Sequence, residues 1–427
     1  MPDLTSELLP RLRSHSLKGI DLWEGLLHPD YEGRSLLNVP ASICQWLGVP
    51  PLGARPLDAQ ISQQLGGNYK NVILILIDAL GLERLLTWLK AGSLPVWARM
   101  VEQGVLAPLT SIMPSTTAAA LPTLWTGTSA AAHGIVGYEM WLKEYGMVIN
   151  AILHSPMSYQ GEAGSLRKAG FVPQNFLETK MLGTHLTTNG IQVHAFQHRS
   201  ITYSGLSQML LRDVSVIPFH TQSDLWVNVR NLLEREPDSR KYIWIYWGEL
   251  DYLSHHYGPN DSRAIAELVN FSSSFEFLFL NQLKPHTRDD TLLILIADHG
   301  QIKTEPDPHY DLSNHPNFVR RLHMMPTGEN RLAYLFIRPG QTAAIREYIE
   351  RTWPGQFSTI EPALAVEYGL FGPGEVHPRL FDRLGDLILV SRQNAYLWWS
   401  AKPDHLLGRH GGLSSDEMLI PFLAAGL

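Results

Sequence analysis

From Val72 to Ile77 the chain reads Val-Ile-Leu-Ile-Leu-Ile, with no polar residue before Asp78. A strand with one face in water alternates apolar and polar side chains. A continuous β-branched and leucine run therefore belongs to a strand covered on both faces, as in a parallel sheet between helix layers. Similar runs recur at Gln192–Phe196, Tyr242–Tyr246, Leu292–Ala297 and Leu387–Val390, with a further strand expected at Ala333–Ile337. Helical spacing fills the intervals, at Leu82–Lys90, Ser223–Arg235, Asp261–Leu283 and Thr342–Thr352. Strands alternating with helices predict a layered α/β/α domain with a mostly parallel central sheet.

Residues 1–66 contain Pro40, Pro50, Pro51 and Pro56 among short amphipathic pieces, and read as an N-terminal extension packed on a core formed by 67–427. Proline- and glycine-rich stretches near 139–185, 301–330 and 353–385 read as insertions that form a cap or rim. The 34 basic and 41 acidic residues are spread without long runs of one sign, which gives no ground for a nucleic-acid partner. The single cysteine, Cys44, excludes an intrachain disulfide framework and a cysteine-rich zinc knuckle. The first residues lack a basic stretch followed by an apolar one, and no apolar run reaches the roughly 20 residues that span a bilayer. The expectation is a cytoplasmic protein without a membrane partner.

The chemistry gathers where strands end. Asp78 and Asp298 each follow a buried run, and Asp251 follows Tyr242–Tyr246 by a few residues. The carboxyl ends of parallel strands are where α/β sheets collect their ligand sites. Three acids meeting there repel one another unless cations join them. Asp251 and His255 stand one helical turn apart, on one face. His299 adjoins Asp298, and His410 lies between Arg409 and two glycines. The turn Met113-Pro-Ser-Thr-Thr117 leads into a helix and brings three hydroxyls, Ser115, Thr116 and Thr117. Each suits either an N-cap or a nucleophile at a helix end that attracts phosphoryl groups. Three carboxylates, three imidazoles and a hydroxyl suffice to ligate two divalent cations and supply a nucleophile.

The order of these pieces resembles the alkaline phosphatase superfamily, most closely its type I phosphodiesterase/nucleotide pyrophosphatase branch. The family's first-strand aspartate matches Asp78. Its Pro-x-x-Thr turn, Thr-Gly and His-Gly-Ile match Pro114–Thr117, Thr126-Gly127 and His133-Gly134-Ile135. The segment Asp251-Tyr-Leu-Ser-His-His-Tyr-Gly-Pro259 is similar to its second metal motif, Asp298-His-Gly300 to its third, and His410-Gly411 to its last.

The resemblance implies two cations, zinc or alternatively manganese. Asp251, His255 and His410 would hold one; Asp78, Asp298 and His299 would hold the other, with the Thr117 oxygen. It also implies hydrolysis of a small phosphate ester or nucleotide through a covalent phospho-threonine. A phosphomonoesterase, phosphonate hydrolase or phosphomutase on the same scaffold is the alternative, as is a non-catalytic metal-binding regulatory protein. Two observations concern substrate. The position three residues after Thr117, where relatives carry asparagine, is Ala120. Between Met100 and Leu166 there is no arginine of the kind monoesterases of the superfamily use, although Arg199 and Arg409 stand elsewhere. Trp125, Tyr138, Trp141, Trp247 and Tyr252 are candidates to stack a base or aryl group, or to fill the core.

Overall fold

A computed structural model describes residues 3–20, 25–158 and 162–427. Its central sheet has seven strands in the spatial order Val105–Thr110, Leu419–Gly426, Thr291–Ile296, Asn71–Ile77, Lys241–Trp247, Gln192–His198 and Ser215–Phe219. All run parallel except Leu419–Gly426, which is antiparallel to both its neighbours. The expected α/β architecture is thus present. Every residue of Asn71–Ile77 and Thr291–Ile296 is buried, as the apolar runs Val72–Ile77 and Leu292–Ile296 require, and the polar first residues pair with each other, Asn71 Nδ2 donating to Thr291 Oγ1 (3.2 Å).

Alternation within Lys241–Trp247 shows what covers each face. Tyr242 and Trp244 meet Trp125, on the helix Thr117–Thr126, with ring centroids 6.3 and 5.3 Å away. Trp247, of opposite parity, stacks at 4.4 Å on Phe271 of the helix Ser262–Leu278. Three central strands escape a reading based on apolar runs, and each contains a proline: Pro108, Pro218 and Pro421. Proline weakens any strand signature because it gives no N–H to the ladder. Here Pro108 and Pro421 fall opposite each other in one register.

The expected strands near Ala333–Ile337 and Leu387–Val390 form as Leu332–Leu335 and Leu387–Ser391, but outside the central sheet. They pair antiparallel with each other in a second sheet of seven strands, which Phe357–Ile360 extends on one side. Thr327–Glu329, Glu139–Leu142, Met147–Asn150 and Ser155–Pro156 extend it on the other. A short buried run looks the same in any covered sheet, so its pattern cannot say which sheet it joins. The stretches 139–185, 301–330 and 353–385 all contribute strands to this second sheet. In the N-terminal part, the N–H of Leu4 donates to the carbonyl of Leu106 (2.8 Å), and Trp46 stacks on Phe422.

Two links matter for the site. Ile302–Lys303 pairs antiparallel with Gly408–Arg409, which sets the segment bearing His410 beside the segment bearing Asp298 and His299. Arg331 and Glu417, both fully buried, form a two-pronged ion pair (2.8 and 2.9 Å) that ties the second sheet to the turn after His410.

Candidate active site

Asn71–Ile77 and Thr291–Ile296 are adjacent and in register, so the acids that follow them emerge side by side. The N–H of Ala79 donates to Asp298 Oδ1 at 3.2 Å, with Ala79 held at a φ of 61°. Lys241–Trp247 lies on the other flank of Asn71–Ile77 and leads into the helix Glu249–Tyr257. That helix presents Asp251 and His255 one turn apart, with Nε2 of His255 3.3 Å from Asp251 Oδ1. His410 Nε2 lies 3.9 Å from the same oxygen. The imidazoles of His299 and His410 stack with centroids 3.8 Å apart.

All seven residues singled out in the sequence meet in one cluster, which includes the implied set Asp78, Asp298 and His299 and brings His299 close to Asp251 and His410 as well. Asp78, Asp298 and His299 offer ligand atoms within 4.8 Å of one another, and so do Asp251, His299 and His410. His299 thus stands between the two sets, and His255 joins the second through Asp251.

The three hydroxyls of the turn separate clearly. Ser115 Oγ donates to the Gly412 carbonyl at 2.7 Å, and the Thr116 hydroxyl bonds Glu329. Thr117, the first residue of its helix, turns Oγ1 into the cluster. That oxygen lies 3.1 Å from His299 Nε2 and 3.3 and 3.4 Å from the oxygens of Asp78. Ala120, one turn on, is wholly buried in the hydrophobic core.

The donor set fits divalent cations. Each histidine uses Nδ1 on a backbone carbonyl: His255 on Gly408 (2.8 Å), His299 on Gly300 (2.9 Å) and His410 on Ser115 (3.1 Å). Bonding of this kind fixes the tautomer and leaves Nε2 as a lone-pair donor, the usual support of a metal-binding imidazole. Asp298 Oδ2 is buried without a hydrogen-bond partner, a costly state that a cation relieves. The carboxyls are perturbed in opposite directions. Burial, then the charges of Asp298 and Asp251, hold the Asp78 carboxyl well above the usual range. Burial also works against ionisation of Asp251, but His255, His410 and His299 together pull it below that range. Burial and the neighbouring His299 push His410 well down.

Sequence reasoning passed over Tyr246, whose hydroxyl donates to Asp78 Oδ2. Burial and the charges of Asp78 and Asp298 hold its phenol well above the ordinary value, so it remains a donor. The signal was available, because Tyr246 shares the parity of Tyr242 and Trp244 and hence faces the layer that carries Thr117. Of the aromatic candidates, Trp125 and Trp247 are core residues, while Tyr252 is 60% exposed and Tyr138 37%. Arg409 is buried over the Tyr396 ring (3.7 Å) and donates to Asp404, Thr304 and the Leu406 carbonyl, so its guanidinium is committed there. Arg199 lies exposed just beyond the strand Gln192–His198. No helix among the described residues is long and apolar enough to cross a membrane.

Residues 72–413 match the family model of type I phosphodiesterases and nucleotide pyrophosphatases. Among solved structures, the fold is similar to murine ectonucleotide pyrophosphatase/phosphodiesterase 5 in an inactive form bound to AMP. That likeness has a TM-score of 0.60 at 16% identity, over 82% of this chain and 87% of that one. It is similar also to phosphonoacetate hydrolase from Sinorhizobium meliloti bound to phosphonoacetate, with a TM-score of 0.60 at 17% identity, over 82% and 89% of the two chains.

Proposed function

Because the chain belongs to the type I phosphodiesterase/nucleotide pyrophosphatase family and is a phosphoester hydrolase, we propose that it cleaves phosphodiesters or nucleotide pyrophosphate bonds with Thr117 as nucleophile and two divalent cations, zinc or manganese. The observation that carries this reading is the orientation of the hydroxyls: Ser115 and Thr116 are engaged elsewhere, and Thr117 alone reaches the carboxylate–imidazole cluster.

Asp78, Asp298 and His299 would hold one cation, and Asp251, His255 and His410 the other, with His299 close to both. When bound, such cations lower the cost of ionising a hydroxyl and stabilise charge on the entering and leaving oxygens. The chain's own groups do the rest. Thr117 and Ala118 open the helix Thr117–Thr126, where an α-helix leaves its N–H groups without intrahelical acceptors, and these groups would bond phosphoryl oxygens. Thr117 Oγ1 forms a bond to phosphorus as the bond to the leaving alcohol or phosphate breaks, and the hydroxyl proton passes to solvent. Water then adds to phosphorus, the P–Oγ1 bond breaks, and Thr117 regains a proton.

The exposed ring of Tyr252, next to Asp251, supports a stacking surface for a base or aryl group. The commitment of Arg409 supports a singly charged diester over a monoester dianion. The decisive experiment measures metal content after chelation and reloading, then compares bis-p-nitrophenyl phosphate with p-nitrophenyl phosphate under one set of conditions. We expect about two ions per chain and a kcat/KM at least about tenfold higher for the diester, or ~1.4 kcal/mol. AMP and phosphonoacetate, the ligands of the two similar structures, belong in the same screen. Absence of bound metal sinks the two-ion reading, and equal rates or a monoester preference overturn the diesterase assignment alone.

A further inference from the structure

The two ligand sets come from separate elements. Asp78 and Asp298–His299 sit at strand ends, while Asp251 and His255 ride on the helix Glu249–Tyr257. For two cations to act on one phosphoryl group they must lie about 3.5–4 Å apart, so the helix must be held at a fixed distance from the strand ends.

Two buried side chains span that gap. Arg84, on the helix Leu82–Lys90, donates from one terminal nitrogen to the Ala79 carbonyl (3.0 Å), one residue beyond Asp78. Its other terminal nitrogen donates to Ser254 Oγ (3.1 Å), one residue before His255. Gln301 follows Asp298-His299-Gly300, and its Nε2 donates to Asp251 Oδ1 at 3.0 Å. The surroundings leave little slack. A Cβ on Gly408 would lie 2.4 Å from the Ser254 carbonyl oxygen and 2.8 Å from Gln301 Oε1, and Gly408 also accepts from His255 Nδ1. Gly300 passes so near Asp416 that a Cβ there would lie 2.0 Å from its carbonyl oxygen.

We infer that Arg84 and Gln301 are positioning residues that brace the Asp251–His255 helix against the strand ends bearing Asp78 and Asp298–His299, and so set the separation of the two ion sites. Each holds one ligand set by way of the other's scaffold: Arg84 through backbone and a serine hydroxyl, Gln301 directly on a carboxylate oxygen. This inference rests on the two-cation reading above.

The test uses the full chain, stripped of metal and titrated with manganese(II), with stoichiometry and the electron paramagnetic resonance spectrum as readouts. The unaltered protein is expected to bind two ions and give the spectrum of a coupled pair. Gln301→Met keeps the side-chain volume but removes the bond to Asp251. It is expected to weaken one ion by about tenfold or more, the usual effect of losing a partner to a metal ligand, and to reduce the coupled signal in favour of isolated ions. Arg84→Met should act in the same direction. Ser254→Ala, which deletes one hydroxyl, is the mild variant should Arg84→Met fail to fold, and is expected to cost several-fold in the weaker ion. If Gln301→Met and Ser254→Ala both bind two ions with unaltered affinity and coupling, the brace is refuted. If the unaltered protein binds no manganese, the two-cation reading falls and this inference with it.

Discussion

Removing the three hydroxyls of the Ser115–Thr117 turn one at a time should rank them in opposite order for stability and for activity. Ser115 Oγ is fully buried and makes a 2.7 Å bond to the Gly412 carbonyl. Its removal leaves that carbonyl short of a partner, at a cost of about 1–3 kcal/mol in stability. The effect on turnover is indirect, through the segment that holds His410, and should stay within roughly tenfold, or ~1.4 kcal/mol. Thr116→Ala removes a bond to Glu329 and should behave similarly. Thr117 Oγ1 makes only long contacts, of 3.1 to 3.4 Å, so Thr117→Ala should cost no more than about 1 kcal/mol of stability. Yet it should lower kcat by at least about a thousandfold, or ~4 kcal/mol, because the attacking atom is gone. Denaturation midpoints and initial rates on bis-p-nitrophenyl phosphate, for the metal-loaded protein, supply both rankings. A Thr117→Ala protein that keeps a tenth of the rate has lost no more than about 1.4 kcal/mol of transition-state stabilisation, and Thr117 is then not the nucleophile.

Other consequences are open to measurement. Arg331→Met strands the buried Glu417 carboxylate and should destabilise by about 3–5 kcal/mol, whereas Arg331→Met combined with Glu417→Leu should cost far less than the sum of the two single changes; additive costs would argue against a tight pair. Burial pushes the Glu329 carboxyl up to about 7, above its ordinary 4.5. The folded chain then holds a proton that the unfolded chain releases, so this group's contribution is full below about 4.5 and is lost as pH rises towards 7. Glu329→Gln should therefore gain stability relative to the unaltered protein at pH 8 but not at pH 4, and a pH-independent difference in denaturation midpoint would contradict this. Tyr246→Phe should weaken one of the two ions by about tenfold, since Asp78 loses a hydrogen-bond partner; unchanged metal affinity would reduce Tyr246 to a packing role.

How much of this was legible beforehand follows from how each feature is encoded. The buried parallel strands are local: six or seven apolar residues in a row admit few interpretations, and the acids Asp78 and Asp298 mark their ends. The choice among Ser115, Thr116 and Thr117 is not local. All three sit at one helix start, and only the distant partners Gly412 and Glu329 remove two of them from contention. The fate of Leu332–Leu335 and Leu387–Ser391 was likewise hidden, because burial on both faces does not record which sheet provides it. Tyr246 closes the apolar run Tyr242–Tyr246, and only the distant Asp78 that its hydroxyl meets marks it as part of the site. Arg84 and Gln301 reveal themselves only through neighbours 170 and 50 residues away in the chain, Ser254 and Asp251.

The antiparallel strand Leu419–Gly426 lies between Val105–Thr110 and Thr291–Ile296 rather than at an edge. As the chain is synthesised, both neighbours are made well before it, and each shows an unpaired backbone edge until it arrives. Such edges invite pairing with other chains, so both are open to that hazard until residues 419–426 are made. The same late segment follows His410 by only a few residues. His410 and this strand both come after the other six residues of the cluster, so neither the ligand cluster nor the sheet can be completed before this stretch is made.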